Sequence, residues 1–124
     1  MDITISCQNK KEYLLIESKG VIQTKEDLFM HSRMINDEIM KHDSKKILIN
    51  EPETHFPLEI FPYFDLVKEY VDNFPPGIRY LKIAIVVSDE YKQIADSWET
   101  LCVSRGLQYF AFTSFEKASD WLLD

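Results

Sequence analysis

Two short apolar bursts constrain the fold of this chain more than any other feature. Ile47-Leu48-Ile49 ends at Asn50, and Ile83-Ala84-Ile85-Val86-Val87 ends at Ser88. Neither alternates with polar residues, so each predicts a strand buried on both faces, as central strands of a parallel sheet are. Parallel neighbours need a crossover between them. The intervening Phe64, Val67, Tyr70, Val71 and Phe74 recur at helical spacing and supply one. Pro62 suits the first turn of that helix, and Asn73-Phe74-Pro75-Pro76-Gly77 terminates it.

The same reading extends to both sides. Ile3, Ile5 and Cys7 alternate with polar residues, the period of a strand with one wet face. Gln8-Asn9-Lys10-Lys11 reads as a turn, and Tyr13-Leu14-Leu15-Ile16 as the return strand of a hairpin, closed by Gly20. Thr24 caps a helix with Glu26 and Asp27 in its first turn, and Leu28, Ser32, Ile35 and Ile39 form its stripe until it ends near His42. Ser88 is the expected cap of a third helix carrying Tyr91, Ile94, Trp98, Leu101 and Cys102, with Gly106 just past its end. Leu107 to Phe112 is a last strand. Thr113-Ser114-Phe115-Glu116 reads as a capping box before the stripe Phe115, Ala118, Trp121 and Leu122. Residues 1–124 therefore predict a single α/β domain. Its sheet is mostly parallel and four- to five-stranded, with an antiparallel N-terminal edge strand and four helices.

Composition removes several function classes. The 21 acidic residues outnumber the 14 Lys and Arg, giving a net charge of −7. This balance argues against nucleic acid or an anionic membrane as a partner. The only glycines, Gly20, Gly77 and Gly106, lie too far apart for a dinucleotide fingerprint or a P-loop. No secretory signal opens the chain, and the longest aliphatic run, Ile83 to Val87, is far short of the ~20 residues of a membrane span. Cys7 and Cys102 form no Cys-x-x-Cys pair, so a reduced, cytoplasmic setting is expected.

Several phrases, in their order, resemble the SpoIIAA-like branch of the STAS domains, relatives of bacterial anti-sigma-factor antagonists. They are Gly20-Val21-Ile22-Gln23-Thr24-Lys25-Glu26-Asp27-Leu28, Lys82-Ile83-Ala84-Ile85-Val86, Trp98-Glu99-Thr100 with Arg105-Gly106-Leu107, and Phe115-Glu116-Lys117-Ala118-Ser119-Asp120-Trp121-Leu122. The resemblance implies a small cytoplasmic bacterial domain without chemistry of its own, acting by binding a protein or a small apolar or nucleotide ligand. In the antagonists a phosphorylatable Ser follows an Asp after the strand equivalent to Ile47–Ile49. Here Asn50-Glu51-Pro52-Glu53-Thr54-His55 stands at that place, without an Asp-Ser pair, so the phosphosite is not carried over.

In a parallel α/β sheet, ligands collect at the carboxyl ends of the strands, where helix N-termini point. Asn50, Thr54 and Ser88 lie at such junctions, although hydroxyls there commonly serve only as caps. Glu51-x-Glu53-x-His55 brings oxygen and imidazole ligands close together. It lacks the further ligands of a closed site, so no metal and no cofactor are expected. His31 falls within a helix and His42 near its end, where a cationic ring suits the dipole. Cys7 and Cys102 fall on apolar faces and read as packing residues. No Gly-x-Ser-x-Gly elbow is present, and no enzyme is expected.

The most unusual stretch is Phe56-Pro57-Leu58-Glu59-Ile60-Phe61-Pro62-Tyr63-Phe64, with four aromatics where a polar loop is usual. Either it is a lid over the domain's own core, or it offers an apolar patch. The candidate binding residues are thus Asn50, Thr54, His55, Phe56, Phe61, Tyr63 and Ser88. The function expected is a non-enzymatic module that engages a protein partner or forms a homodimer through the 50–64 segment and the strand ends. The alternative is a carrier or sensor of a small hydrophobic, lipid-like ligand.

Overall fold

The computed structural model describes residues 3–73 and 76–124, without the side chains of 70, 71, 73 and 76. Its elements run β1 (Ile3–Asn9), β2 (Leu14–Val21), α1 (Lys25–Met40), β3 (Lys46–His55), α2 (Phe61–Asn73), β4 (Lys82–Val86), α3 (Lys92–Val103), β5 (Gln108–Phe112) and α4 (Phe115–Leu123). One five-stranded sheet has the order β1-β2-β3-β4-β5. β1 pairs antiparallel with β2, and the other three pairings are parallel. This is the α/β sheet with an antiparallel N-terminal edge that the apolar pattern predicts.

Each crossover steps to the adjacent strand in the same direction. With one crossover hand, α1, α2 and α3 must then share a face. They do: Leu28, Ile35 and Ile39 of α1, Tyr63, Leu66 and Val67 of α2, and Ile94, Ala95, Trp98 and Cys102 of α3 pack in one core. Its sheet side is Leu14, Ile16, Ile47, Ile49, Ile83, Ile85, Tyr109 and Ala111. Among the described residues the helix on the other face is α4, whose Ala118 and Leu122 close on Leu15, Leu48, Ala84 and Val86. The two bursts are therefore apolar throughout because both faces of the sheet carry helices.

β3 departs most from expectation. It does not stop at Asn50 but continues to His55. Between Glu17 and Lys19 of β2, where two steps are taken, β3 takes three, from Asn50 to Glu53. The extra residue is a bulge, and Pro52 sits in it. Beyond the Asn50–Val86 pairing β3 has no β4 partner, so a residue without an N–H is tolerated there.

Smaller corrections concern caps and stripes. Ser88 makes no side-chain cap bond: it precedes a 3-10 turn over Asp89–Tyr91, and α3 begins only at Lys92. The cap of α4 is Ser114 rather than Thr113, accepting a hydrogen bond from the Lys117 amide at 3.2 Å. Thr24 and Asp27 do form a reciprocal box on α1. On α2 the buried stripe is Tyr63, Leu66 and Val67, and Phe64 is exposed. Phe74 and Pro75 lie outside the described residues, as do the side chains of Tyr70 and Val71.

The core under α4 is small, six buried residues with Tyr13, Phe112 and Trp121 packed around them. Leu122→Ala is expected to cost about 2–5 kcal/mol, read as a lowered urea midpoint with an unchanged slope. A change below about 1 kcal/mol would contradict this packing.

Candidate functional site

A cavity opens between the three-helix layer and the carboxyl half of the sheet. Leu28, His31, Ser32 and Ile35 of α1, Tyr63 and Leu66 of α2, and Ile94, Ala95 and Trp98 of α3 form one side. Ile49 and Glu51 of β3, Ile85, Val87, Tyr91, Tyr109 and Phe56 complete it. Its volume is about 80 Å³. That is about half the roughly 150 Å³ of an apolar cavity that takes up benzene, so as it stands it has room for a few water-sized groups, and a larger ligand requires its cover to move.

The walls are aromatic. Phe56 meets His31 and Tyr91 edge-to-face, with ring centroids 5.8 and 5.7 Å apart. Trp98 meets Tyr109 edge-to-face at 5.9 Å and Tyr63 at 6.3 Å. The edge-to-face arrangement suits the ring quadrupoles and holds the walls without filling the space between them.

One end of the cavity is polar, and the bulge in β3 creates that end. In a regular strand residues three apart point to opposite faces. The extra residue brings Glu51 and Thr54 to the same face, where both are buried. Thr54 Oγ1 lies 3.0 Å from Ser18 Oγ, and Ser18 Oγ lies 2.9 Å from His31 Nε2. Glu51 Oε2 is 3.3 Å from the same nitrogen, but no donor reaches that oxygen with hydrogen-bond geometry. The Glu51 side chain is only 5% exposed. Ser18, His31 and Glu51 are not a catalytic relay. In a relay the carboxylate binds the ring nitrogen opposite the nucleophile, whereas here both contacts fall on Nε2.

The 56–60 segment forms the cover. Tyr63 donates from its hydroxyl to the Pro57 carbonyl at 2.8 Å, tying the segment to α2. Burial, and then the charge of Glu51 and the neighbouring Tyr91, push the Tyr63 phenol well above its ordinary range. It therefore stays a donor. Tyr91 is also raised, by burial and then by Glu90, with a backbone hydrogen bond at Phe56 opposing. His55 Nδ1 lies 2.8 Å from the Tyr91 hydroxyl and braces that wall from outside.

Of the residues singled out from sequence, Phe56 and Tyr63 line the cavity, Thr54 lies behind it and reaches His31 only through Ser18, and His55 stands behind Tyr91. Asn50 points to the α4 side, its Nδ2 3.5 Å from Glu17 Oε2. Phe61 faces outward at 75% exposure. Ser88 supplies a carbonyl to the Tyr91 amide at 3.0 Å and does not line the cavity. Glu51, Glu53 and His55 do not converge: Glu51 is buried, whereas Glu53 and His55 are exposed. Ser18, His31, Glu51, Tyr91, Trp98 and Tyr109 carry the site without having been picked as site residues. The available signals were an ionisable His31 between Leu28 and Ile35, and Glu51 in phase with Ile47 and Ile49.

Among solved structures, the chain is similar to an uncharacterised protein of the DUF3478 family from Shewanella loihica PV-4, which has a SpoIIAA-like fold. The similarity covers 97% of this chain and 93% of that one, with a TM-score of 0.52 and 16% identity. The chain thus has the SpoIIAA-like fold that the resemblance in its sequence implies. No family model and no curated protein matches it.

An oxygen left without a donor in the interior costs stability. Glu51→Met, which keeps the length of the side chain, is expected to stabilise the ligand-free protein by about 1–3 kcal/mol in urea unfolding. Destabilisation by a similar amount would show that the His31 contact alone satisfies the carboxylate.

Proposed function

We propose that the protein is a non-enzymatic binding module. It holds a small, largely apolar molecule between its three-helix layer and the sheet, with a ligand N–H or O–H at Glu51. The observation that carries this reading is Glu51 Oε2, buried at the polar end of an aromatic-walled cavity with no donor. Such an atom costs about 1–3 kcal/mol while unpaired, and a ligand donor recovers that free energy on binding. The walls add the hydrophobic term, about 25 cal/mol for each Å² of apolar ligand surface removed from water. Entry requires the 56–60 segment to lift away from α2, and the Tyr63–Pro57 hydrogen bond is its latch.

Native mass spectrometry of protein purified without denaturation from its own cells tests the reading. A single small organic adduct, retained by the wild type and lost from Glu51→Met, is expected. Bare protein in both cases would contradict it.

A second reading has its own observation. Leu58 and, in the first turn of α2, Phe61 and Phe64 are 65%, 75% and 46% exposed. An apolar ridge of this kind suits a protein partner or a second copy of the chain. Sedimentation should then show a concentration-dependent dimer that Phe61→Asp abolishes. A monomer at every concentration would exclude self-association.

A further inference from the structure

Away from the cavity, at the β1 edge of the sheet, three metal-ligating side chains meet. Cys7 comes from β1, Glu38 from the last turn of α1, and His42 from the turn just beyond it. Their ligand atoms all lie within 4.8 Å of one another, and among the described residues no other group of three His, Cys, Asp or Glu does this. Alternation along β1 turns Ile3, Ile5 and Cys7 toward the helix layer. His42 extends the helical turn, its amide bonded to the Ile39 carbonyl at 3.2 Å. That places it four residues after Glu38, on the same side of α1.

We propose that Cys7, Glu38 and His42 bind a Zn²⁺ ion, with water in the fourth position. Cys7 Sγ is 3.7 Å from His42 Nε2. Tetrahedral zinc with Zn–S of about 2.3 Å and Zn–N of about 2.0–2.1 Å separates those two ligands by about 3.5 Å. The thiolate and imidazole suit a borderline-soft cation and disfavour calcium or magnesium. One thiolate, one carboxylate and a neutral imidazole balance the charge of the ion. All three residues are part-buried, so the charges are partly withdrawn from water, where neutralisation counts most. Glu38 Oε1 is also 3.1 Å from Lys41 Nζ. That pair is largely exposed on the lysine side and weak, so it does not compete with a divalent ion. Bound zinc would fasten the edge strand β1 to the end of α1.

The test uses untagged full-length protein, reduced and stripped with a chelator. Equilibrium dialysis against micromolar Zn²⁺ is expected to show one ion per chain. Cys7→Ser and His42→Ala should weaken binding by more than the roughly 10–100-fold that loss of an outer-shell partner costs. Co²⁺ in the wild type should give a thiolate-to-metal charge-transfer band that Cys7→Ser lacks. Thermal melts in chelator check that both variants fold. Zinc binding no tighter than millimolar in the wild type, or unchanged affinity in either folded variant, overturns the proposal.

Discussion

The bulge in β3 is the constraint on which the site depends. A strand of strict period two would send Glu51 and Thr54 to opposite faces, one into the three-helix core and the other toward α4. The extra residue around Pro52 turns both inward. The Glu51 carboxylate thus enters a region otherwise lined by Ile49, Ile85, Leu28 and Leu66, and the Thr54 hydroxyl backs it through Ser18. Buried polar groups demand partners. Ser18 and His31 satisfy Thr54 and one another, but Glu51 Oε2 is left with a contact rather than a hydrogen bond. The local irregularity therefore buries both polar groups and leaves Glu51 Oε2 without a hydrogen-bond donor.

Topology decides where such a polar end can lead. Open α/β sheets commonly bind ligands where strand order reverses and a crevice opens at the carboxyl edge. Here the order runs from β1 to β5 without reversal. The space lies instead under the helices, between α1, α2 and α3 and the sheet. Aromatic side chains from each of β5, α2 and α3 reach into it, and Phe56 closes it from the segment after β3.

Much of this is legible in the amino-acid sequence. The unbroken apolarity of Ile47–Ile49 and Ile83–Val87 predicts a sheet covered on both faces, because nothing else removes both sides of a strand from water. The aromatic run at 56–64 stands out because one helix face cannot hide it. It divides, with Phe56 and Tyr63 inside and Leu58 and Phe61 outside. What was not legible is registry between distant segments. A bulge is a mismatch between two strands, and neither strand alone shows it. Pro52, unable to continue a ladder, was its one local trace and reads equally well as a strand end. Ser88 and Thr113 misled for a related reason. Cap preference is a local tendency, and a 3-10 turn or a one-residue shift satisfies the same helix end.

The two tryptophans offer an internal control. Trp98 lines the cavity, whereas Trp121 packs on the opposite face against Phe110 and Phe112. Nitrogen-15 NMR of the two indole N–H groups during titration with pyrrole, a neutral aromatic ring bearing one N–H donor, is the most direct test. Binding in the cavity predicts that the Trp98 resonance moves saturably while that of Trp121 stays in place. An unmoved Trp98 resonance at millimolar probe, or equal movement of both, would contradict a ligand site beneath the helix layer.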